Sequence, residues 1–191
     1  RQVHGVKIIE AAEAEVLPQR PEADGVLIAA DAQPLASLRF ADCTPVVIAG
    51  MAERPWMAVL HSGFKGTVQN IAAAAVNLAL KRHPRQRPEE MWAWIGPAIG
   101  MECYSRRRED PTTALALKSF AAQNVSEGRD VYNFDIKGQI NSQLIEIGLV
   151  YDRIYTYDCC TCCRHDYFYS YRAGDEKRRM FLLAGSAKNL R

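Results

Sequence analysis

The sequence predicts an α/β (α+β) fold: one domain over residues 1–191, built on a mixed β-sheet with helices packed outside it. Three observations carry this. Short apolar runs of strand length recur through the first third of the chain, punctuated by Pro and Gly. A single long Ala-rich stretch follows them at helical spacing. Strands outnumber helices and run consecutively early, which favours a mixed sheet over strict strand–helix alternation.

The elements follow in order. Residues 11–24, with Ala, Glu and Pro but no apolar period, read as a surface loop. Val26-Leu27-Ile28, Leu35 to Phe40, Val46-Val47-Ile48 and Trp56 to Leu60 read as strands, separated by Pro34, Pro45 and Gly50-Met51. From Thr67 to Arg82, Val68, Ile71, Ala72, Ala75, Val76, Leu78 and Ala79 recur at helical intervals, and Pro84 ends the helix. Met91 to Ile95 is a strand closed by Gly96-Pro97. Helices are expected over 112–123 and 136–148, the second capped by Asp135. Tyr151 to Tyr157, Phe168 to Arg172 and Met180 to Ala184 complete the strands.

The chain has 191 residues, 48% of them hydrophobic, enough to bury most of its apolar surface in one core. Lys and Arg total 24 against 22 Asp and Glu, a net charge of +2. So even a balance gives no support to a dedicated nucleic-acid or membrane-surface binder. No apolar run approaches the roughly 18 residues of a membrane helix. The chain opens Arg1-Gln2-Val3-His4-Gly5, with neither an initiator Met nor a signal-peptide pattern, so a natural N-terminal segment is expected upstream. Six cysteines without a visible export signal read as free thiols of a reducing, cytoplasmic compartment.

Three places hold residues with chemistry. Asp42-Cys43-Thr44 stands between two apolar strands, where a turn aspartate and a small buried cysteine are the plain alternative. His61-Ser62-Gly63-Phe64-Lys65-Gly66-Thr67 joins a strand to the long helix. Its glycines and Lys65, beside free helix N–H groups, would make an anion cradle, or else an ordinary turn with a solvated Lys. The Walker spacing is absent. Gln2-Val3-His4-Gly5 contributes a third, and alone His4 reads as a surface residue. Together His4, Cys43 and His61 form two imidazoles and a thiolate, a set suited to a zinc with an open fourth position.

Cys159-Cys160-Thr161-Cys162-Cys163 holds overlapping C-x-x-C pairs, with no second pair at zinc-ribbon spacing. In an extended segment Cys160 and Cys162 would face away from Cys159, Thr161 and Cys163, so the four thiols would not converge on one ion without a tight turn. They are expected to be structural or incidental. Arg106-Arg107-Arg108 and Lys177-Arg178-Arg179, flanked by acidic residues, read as solvated loops.

In order, Gln2-Val3-His4-Gly5, Ala41-Asp42-Cys43-Thr44-Pro45-Val46, His61-Ser62-Gly63-Phe64-Lys65-Gly66, Gly96-Pro97-Ala98-Ile99-Gly100 with Cys103-Tyr104, and Tyr169-Ser170-Tyr171-Arg172 resemble the YfiH-like family. Its members are also called multicopper polyphenol oxidase or laccase-domain proteins. The motifs span nearly the whole chain. The resemblance implies a sandwich-like α/β fold and a zinc held by His4, Cys43 and His61. It also implies phosphorolysis of adenosine, inosine, guanosine and methylthioadenosine, with deamination of adenosine. Purine nucleoside and phosphate are then the partners, with Lys65, Gly63, Gly66 and Arg172 on the phosphate. Cys43, His61 and Asp42 become the catalytic set, Asp42 moving protons in deamination. The family's loop usually carries Arg where this chain has Lys65, which keeps the charge without the guanidinium fork.

Copper chemistry is disfavoured by counting. A type 1 copper plus a trinuclear cluster would consume roughly ten histidines, and this chain has four. The alternative enzyme is a hydrolase of an amide or a cell-wall precursor, with Cys43 as nucleophile and His61 as base.

Overall fold

The computed structural model describes residues 1–15, 19, 21–29, 35–52 and 54–185. The turn expected at Pro34 lies outside them. The expected early strands form as β2 (Gly25–Ala29), β3 (Ala36–Phe40), β4 (Thr44–Gly50) and β5 (Trp56–Ser62). Ahead of them, the expected loop over 11–24 contains a strand–helix junction instead: β1 (Ile8–Glu10) runs straight into α1 (Ala11–Glu15), and Ala11 is buried.

The long helix is interrupted. It divides into α2 (Phe64–Val68) and α3 (Ile71–Arg82), because Asn70 takes a left-handed φ of 59° and its side chain accepts from the Ala73 N–H. Asn tolerates that backbone region and is also a strong N-cap, so one residue both breaks and restarts the helix. After β6 (Trp92–Ile95) come β7 (Ser105–Arg107), α4 (Pro111–Ser119), β8 (Val125–Glu127) and β9 (Val131–Phe134). The chain then continues through α5 (Ile136–Glu146), β10 (Ile154–Thr156) and β11 (Met180–Ala184). Asp135 caps α5 as expected, accepting from Gly138 N–H at 2.9 Å. Asp110 caps α4, with Pro111 at its first position.

Six strands form the main sheet in the order β1-β2-β5-β4-β6-β10, parallel at its two outer pairs and antiparallel between. Side-chain alternation along the central strands feeds two cores. Leu27, Val46, Ile48, Ala58 and Leu60 pack with Ile71, Val76, Ile140 and Leu144 of α3 and α5. Ile28 and Val59 point the other way, against Leu38 and Leu182 of the antiparallel β3–β11 ribbon. Burial on both faces is why these strands read as continuous apolar runs.

Two expectations fail at the C-terminal side. Phe168 to Arg172 is a series of turns, not a strand. Asp175 accepts from Ser170 N–H at 2.9 Å and the Ser170 hydroxyl accepts from Ala173 N–H at 3.1 Å. Such local side-chain bonds offer the backbone an alternative to a ladder. The Cys159–Cys163 segment is likewise not extended: it enters a turn at Thr161, with Arg164 N–H donating to Cys160 C=O at 2.9 Å. The Arg106 triplet is only partly loop: Arg106 and Arg107 belong to β7, the edge of a three-stranded antiparallel sheet with β9 and β8, and Arg108 lies in the turn that follows.

Candidate metal centre and the cavity around it

His61 lies near the end of β5 and Cys43 just before β4, so the antiparallel pairing of β4 with β5 brings them to one end of the sheet. His4 arrives from the N-terminal segment, which is tied down from two sides. The Gln2 side chain pairs with the Arg39 backbone like an extra strand residue, donating at 2.7 Å and accepting at 3.0 Å. Asp24, fully buried, accepts from the N–H groups of Val3, His4 and Gly5 at 3.1, 2.9 and 2.7 Å. These bonds hold His4 in its left-handed conformation, φ 61°.

The same carboxylate receives His61 Nδ1 at 2.9 Å. In the neutral ring that fixes the proton on Nδ1 and leaves the Nε2 lone pair free, the carboxylate–histidine pairing that orients metal ligands. Donor atoms of His4, Cys43 and His61 lie within 4.8 Å of one another. A Cβ built on Gly63 would meet Cys43 Sγ at 3.0 Å and His4 Cδ2 at 3.2 Å, so only glycine lets the two ligands close in. One on Gly66 would meet the Gly5 carbonyl at 3.1 Å. Two imidazoles and one thiolate, with His61 oriented by the Asp24 carboxylate, fit a metal with an open position.

The electrostatics agree. Burial works against the Cys43 thiolate, but hydrogen bonds and charge from His4 and His61 outweigh it and hold the thiol at about 7. Burial likewise works against a charged His61, yet Asp24 and Cys43 raise it to about 9. Asp24 is held below the ordinary carboxylate range: burial opposes its charge, and the bonds from His61, Gly5, His4 and Val3 prevail.

A cavity of about 750 Å³ opens over the three donors. Lys65, Asp42 and Arg172, singled out from the sequence, all line it. So do Arg39, which no motif marks, and Arg106, Lys177 and Arg179, which the sequence predicts only as members of solvated loops. Lys65 stands in the five-residue α2 rather than at the start of the long helix, so its charge and not a helix end is what it brings. Gly63 and Gly66 pack against the His4 segment, a nearer reason for their lack of a side chain than a phosphate cradle. Asp42, with φ 80°, is engaged at both oxygens: Oδ1 accepts from the buried Thr161 hydroxyl and Oδ2 from Arg172 N–H, both at 2.7 Å. The Arg172 guanidinium lies 5.1 Å from the Tyr104 ring centre, and Arg106 4.6 Å from that of Phe64. Arg106 is also fixed by Asp110 and Thr112. No sequence motif marks Asp24, which falls at the end of the loop expected over residues 11–24.

A mixed sheet that gathers two imidazoles and a thiolate at the floor of a basic cavity defines a class of α/β protein with a candidate metal-binding cluster. The chain belongs to the family described as multi-copper polyphenol oxidoreductase laccase, whose pattern matches residues 1–185. It is 30% identical to a purine nucleoside phosphorylase of Xylella fastidiosa, over 96% of this chain and 70% of the relative. It is 30% identical to the purine nucleoside phosphorylase YlmD of Bacillus subtilis, over 74% of this chain and 50% of that one. Among solved structures it resembles Bacillus licheniformis hypothetical protein YfiH, with a TM-score of 0.83 and 25% identity over 97% of this chain and 72% of that one. YlmD from Geobacillus stearothermophilus superposes with a TM-score of 0.81 at 27% identity, over 97% and 71% of the two chains. The YfiH-like resemblance and the α/β fold are thereby established.

Proposed function

We propose that this chain is a purine nucleoside phosphorylase that works with a zinc held by His4, Cys43 and His61, and that adenosine, inosine, guanosine and methylthioadenosine are its substrates. The observation that carries this is the cavity lining. Three metal-type donors share it with Arg39, Lys65, Arg106, Arg172, Lys177 and Arg179, against only Asp42 and Glu176. That excess of cations over the donors fits an anionic co-substrate. The names of the relatives support the same reading.

In phosphorolysis a phosphate oxygen bonds to the ribose C1′ while the C1′–N9 bond breaks and its electron pair leaves with the purine. Lys65 and Arg172 hold the phosphate, and the pinned Arg106 adds fixed positive charge without reorganising. The adjacent rings of Phe64 and Tyr104, 5.5 Å apart, give the purine an apolar wall. A zinc, when bound, supplies Lewis-acid polarisation at the reacting centre. Asp24 orients His61, and Asp42 joins the Thr161 and Arg172 loops over the cavity. Adenosine deamination needs a carboxylate free to move protons. Both Asp42 oxygens are engaged, so deamination is the lesser activity in this reading.

Zinc fits the donors better than the copper cluster of the family's name. His83 stacks on Trp56 at 5.7 Å and His165 pairs with Asp175 at 2.7 Å, which leaves two histidines for the centre. All six cysteines are free thiols, which supports a cytoplasmic setting. Among the described residues no helix is long and apolar enough to cross a membrane.

One observation favours a second reading. Cys43, His61 and Asp24 stand in the nucleophile–base–orienting-carboxylate order of a cysteine hydrolase. A product assay decides. Incubated with inosine, the chain should release hypoxanthine and ribose 1-phosphate only when phosphate is present. Phosphate-independent release of free ribose, or no turnover of any purine nucleoside, would overturn the proposal.

A further inference from the structure

The turn that replaces the expected extended segment brings together thiols from two loops far apart in sequence. The loop after β6 supplies Glu102 and Cys103, and the loop after β10 supplies Cys160 and Cys163. β6 and β10 are parallel neighbours, and the pairing continues past their ends through the Ala98–Cys160 bridge and Thr161 N–H to Ala98 C=O at 3.0 Å. The four donor atoms lie within 4.8 Å of one another. Cys103 Sγ stands 3.4 Å from Cys163 Sγ, which is 3.4 Å from Glu102 Oε1.

We infer that Glu102, Cys103, Cys160 and Cys163 form a second metal site, a closed structural zinc site that braces the wall of the cavity. In a tetrahedral zinc sphere with metal–sulfur bonds of about 2.3 Å, neighbouring donors sit about 3.7 Å apart, the spacing this cluster already approaches. Cys160-Thr161-Cys162-Cys163 has the C-x-x-C spacing of a zinc knuckle. It also has the knuckle's backbone support: Cys160 Sγ accepts from Cys163 N–H at 3.4 Å and from Gly100 N–H at 3.1 Å. N–H groups aimed at sulfur favour the thiolate a metal requires. Three soft sulfurs and one carboxylate select a borderline-soft divalent ion over magnesium or calcium. Four protein donors leave no open position, so the role is architectural. Cys159 and Cys162 stay outside the donor set.

The site would act on the cavity through its neighbours. Cys103 precedes Tyr104, which lines the cavity, and Thr161 inside the knuckle donates to Asp42. The inference does not rest on the proposed activity.

The test is cobalt loading of the reduced full chain carrying Cys43→Ala, which removes the one thiolate of the His4 centre. One cobalt per chain with a strong thiolate-to-cobalt charge-transfer band supports the second site. No bound cobalt, or cobalt without that band, overturns it. Elemental analysis gives an independent readout: Cys163→Ser, an exposed position, should lower zinc by one equivalent relative to the unsubstituted chain. Unchanged zinc in a folded Cys163→Ser chain would equally overturn the inference. Neither readout depends on nucleoside turnover, so its failure is separate from failure of the phosphorylase reading.

Discussion

Asp24 Oδ1 lies 2.9 Å from His61 Nδ1, and the same buried carboxylate holds the backbone of the segment that carries His4. One residue thus positions two of the three donors. The centre depends on a group that would not touch the metal.

Asp24→Asn should therefore weaken zinc at the His4 centre by roughly 10- to 100-fold, the usual effect of removing a carboxylate that orients a ligating histidine. It should also cost about 2–3 kcal/mol of stability, since several bonds to a charged acceptor are weakened together. Isothermal titration with zinc and thermal unfolding measure the two effects. The pH sign follows from the lowered pKa of Asp24. Its contribution is present above the unfolded value of about 3.9 and is lost as pH falls through the lower folded value. Asp24→Asn should accordingly flatten the acid limb of the stability profile.

Gly63→Ala places a methyl group 3.0 Å from Cys43 Sγ and 3.2 Å from His4 Cδ2. Zinc affinity at the His4 centre should fall by about tenfold or more, as for other changes that misplace ligands. Circular dichroism should show an otherwise intact fold. Unchanged zinc affinity would show that the two ligands have room to move apart.

Lys65→Ala should raise the KM for phosphate by about tenfold or more while the zinc count stays unchanged, because a charge-assisted bond is worth about 1.5–3 kcal/mol. Lys65→Arg should be tolerated or improve phosphate binding through its forked donors. Phosphate-dependence curves of the three chains make the comparison.

In the metal-free chain, Cys43 should alkylate with iodoacetamide along a curve whose midpoint is near pH 7, because its thiol is held at about 7. An ordinary cysteine has its midpoint near roughly 8.5. The thiolate is populated above the midpoint, so the rate should rise with pH and level off early. Peptide mapping separates Cys43 from the other cysteines, and added zinc should protect it.

The central strands were legible because burial on both sheet faces makes them uninterrupted apolar runs. α5 was legible because Asp135 announces its start. What escaped the sequence was set by a few side chains acting on the backbone. Asn70 split a helix whose apolar period runs on unbroken, and Ser170 with Asp175 turned an aromatic stretch that has strand composition. β7 and β8 are three residues each and largely polar, so no period marks them. At the site, His4, Cys43 and His61 were found by ligand chemistry, and the structure brings them together. Asp24 was hidden because its partners are backbone N–H groups and one ring nitrogen from distant segments. The approach of Cys160 and Cys163 to Cys103 was hidden for a related reason: alternation rules hold for strands, and Cys160 to Cys163 is a turn met by Cys103 from another loop.

The most direct test of the central claim is Cys43→Ala, with zinc content and phosphate-dependent inosine cleavage measured on the same preparation. The account predicts the loss of one zinc per chain together with loss of ribose 1-phosphate formation, in a protein that remains folded. A Cys43→Ala chain that keeps its full zinc content, or cleaves inosine at the unsubstituted rate, would contradict it.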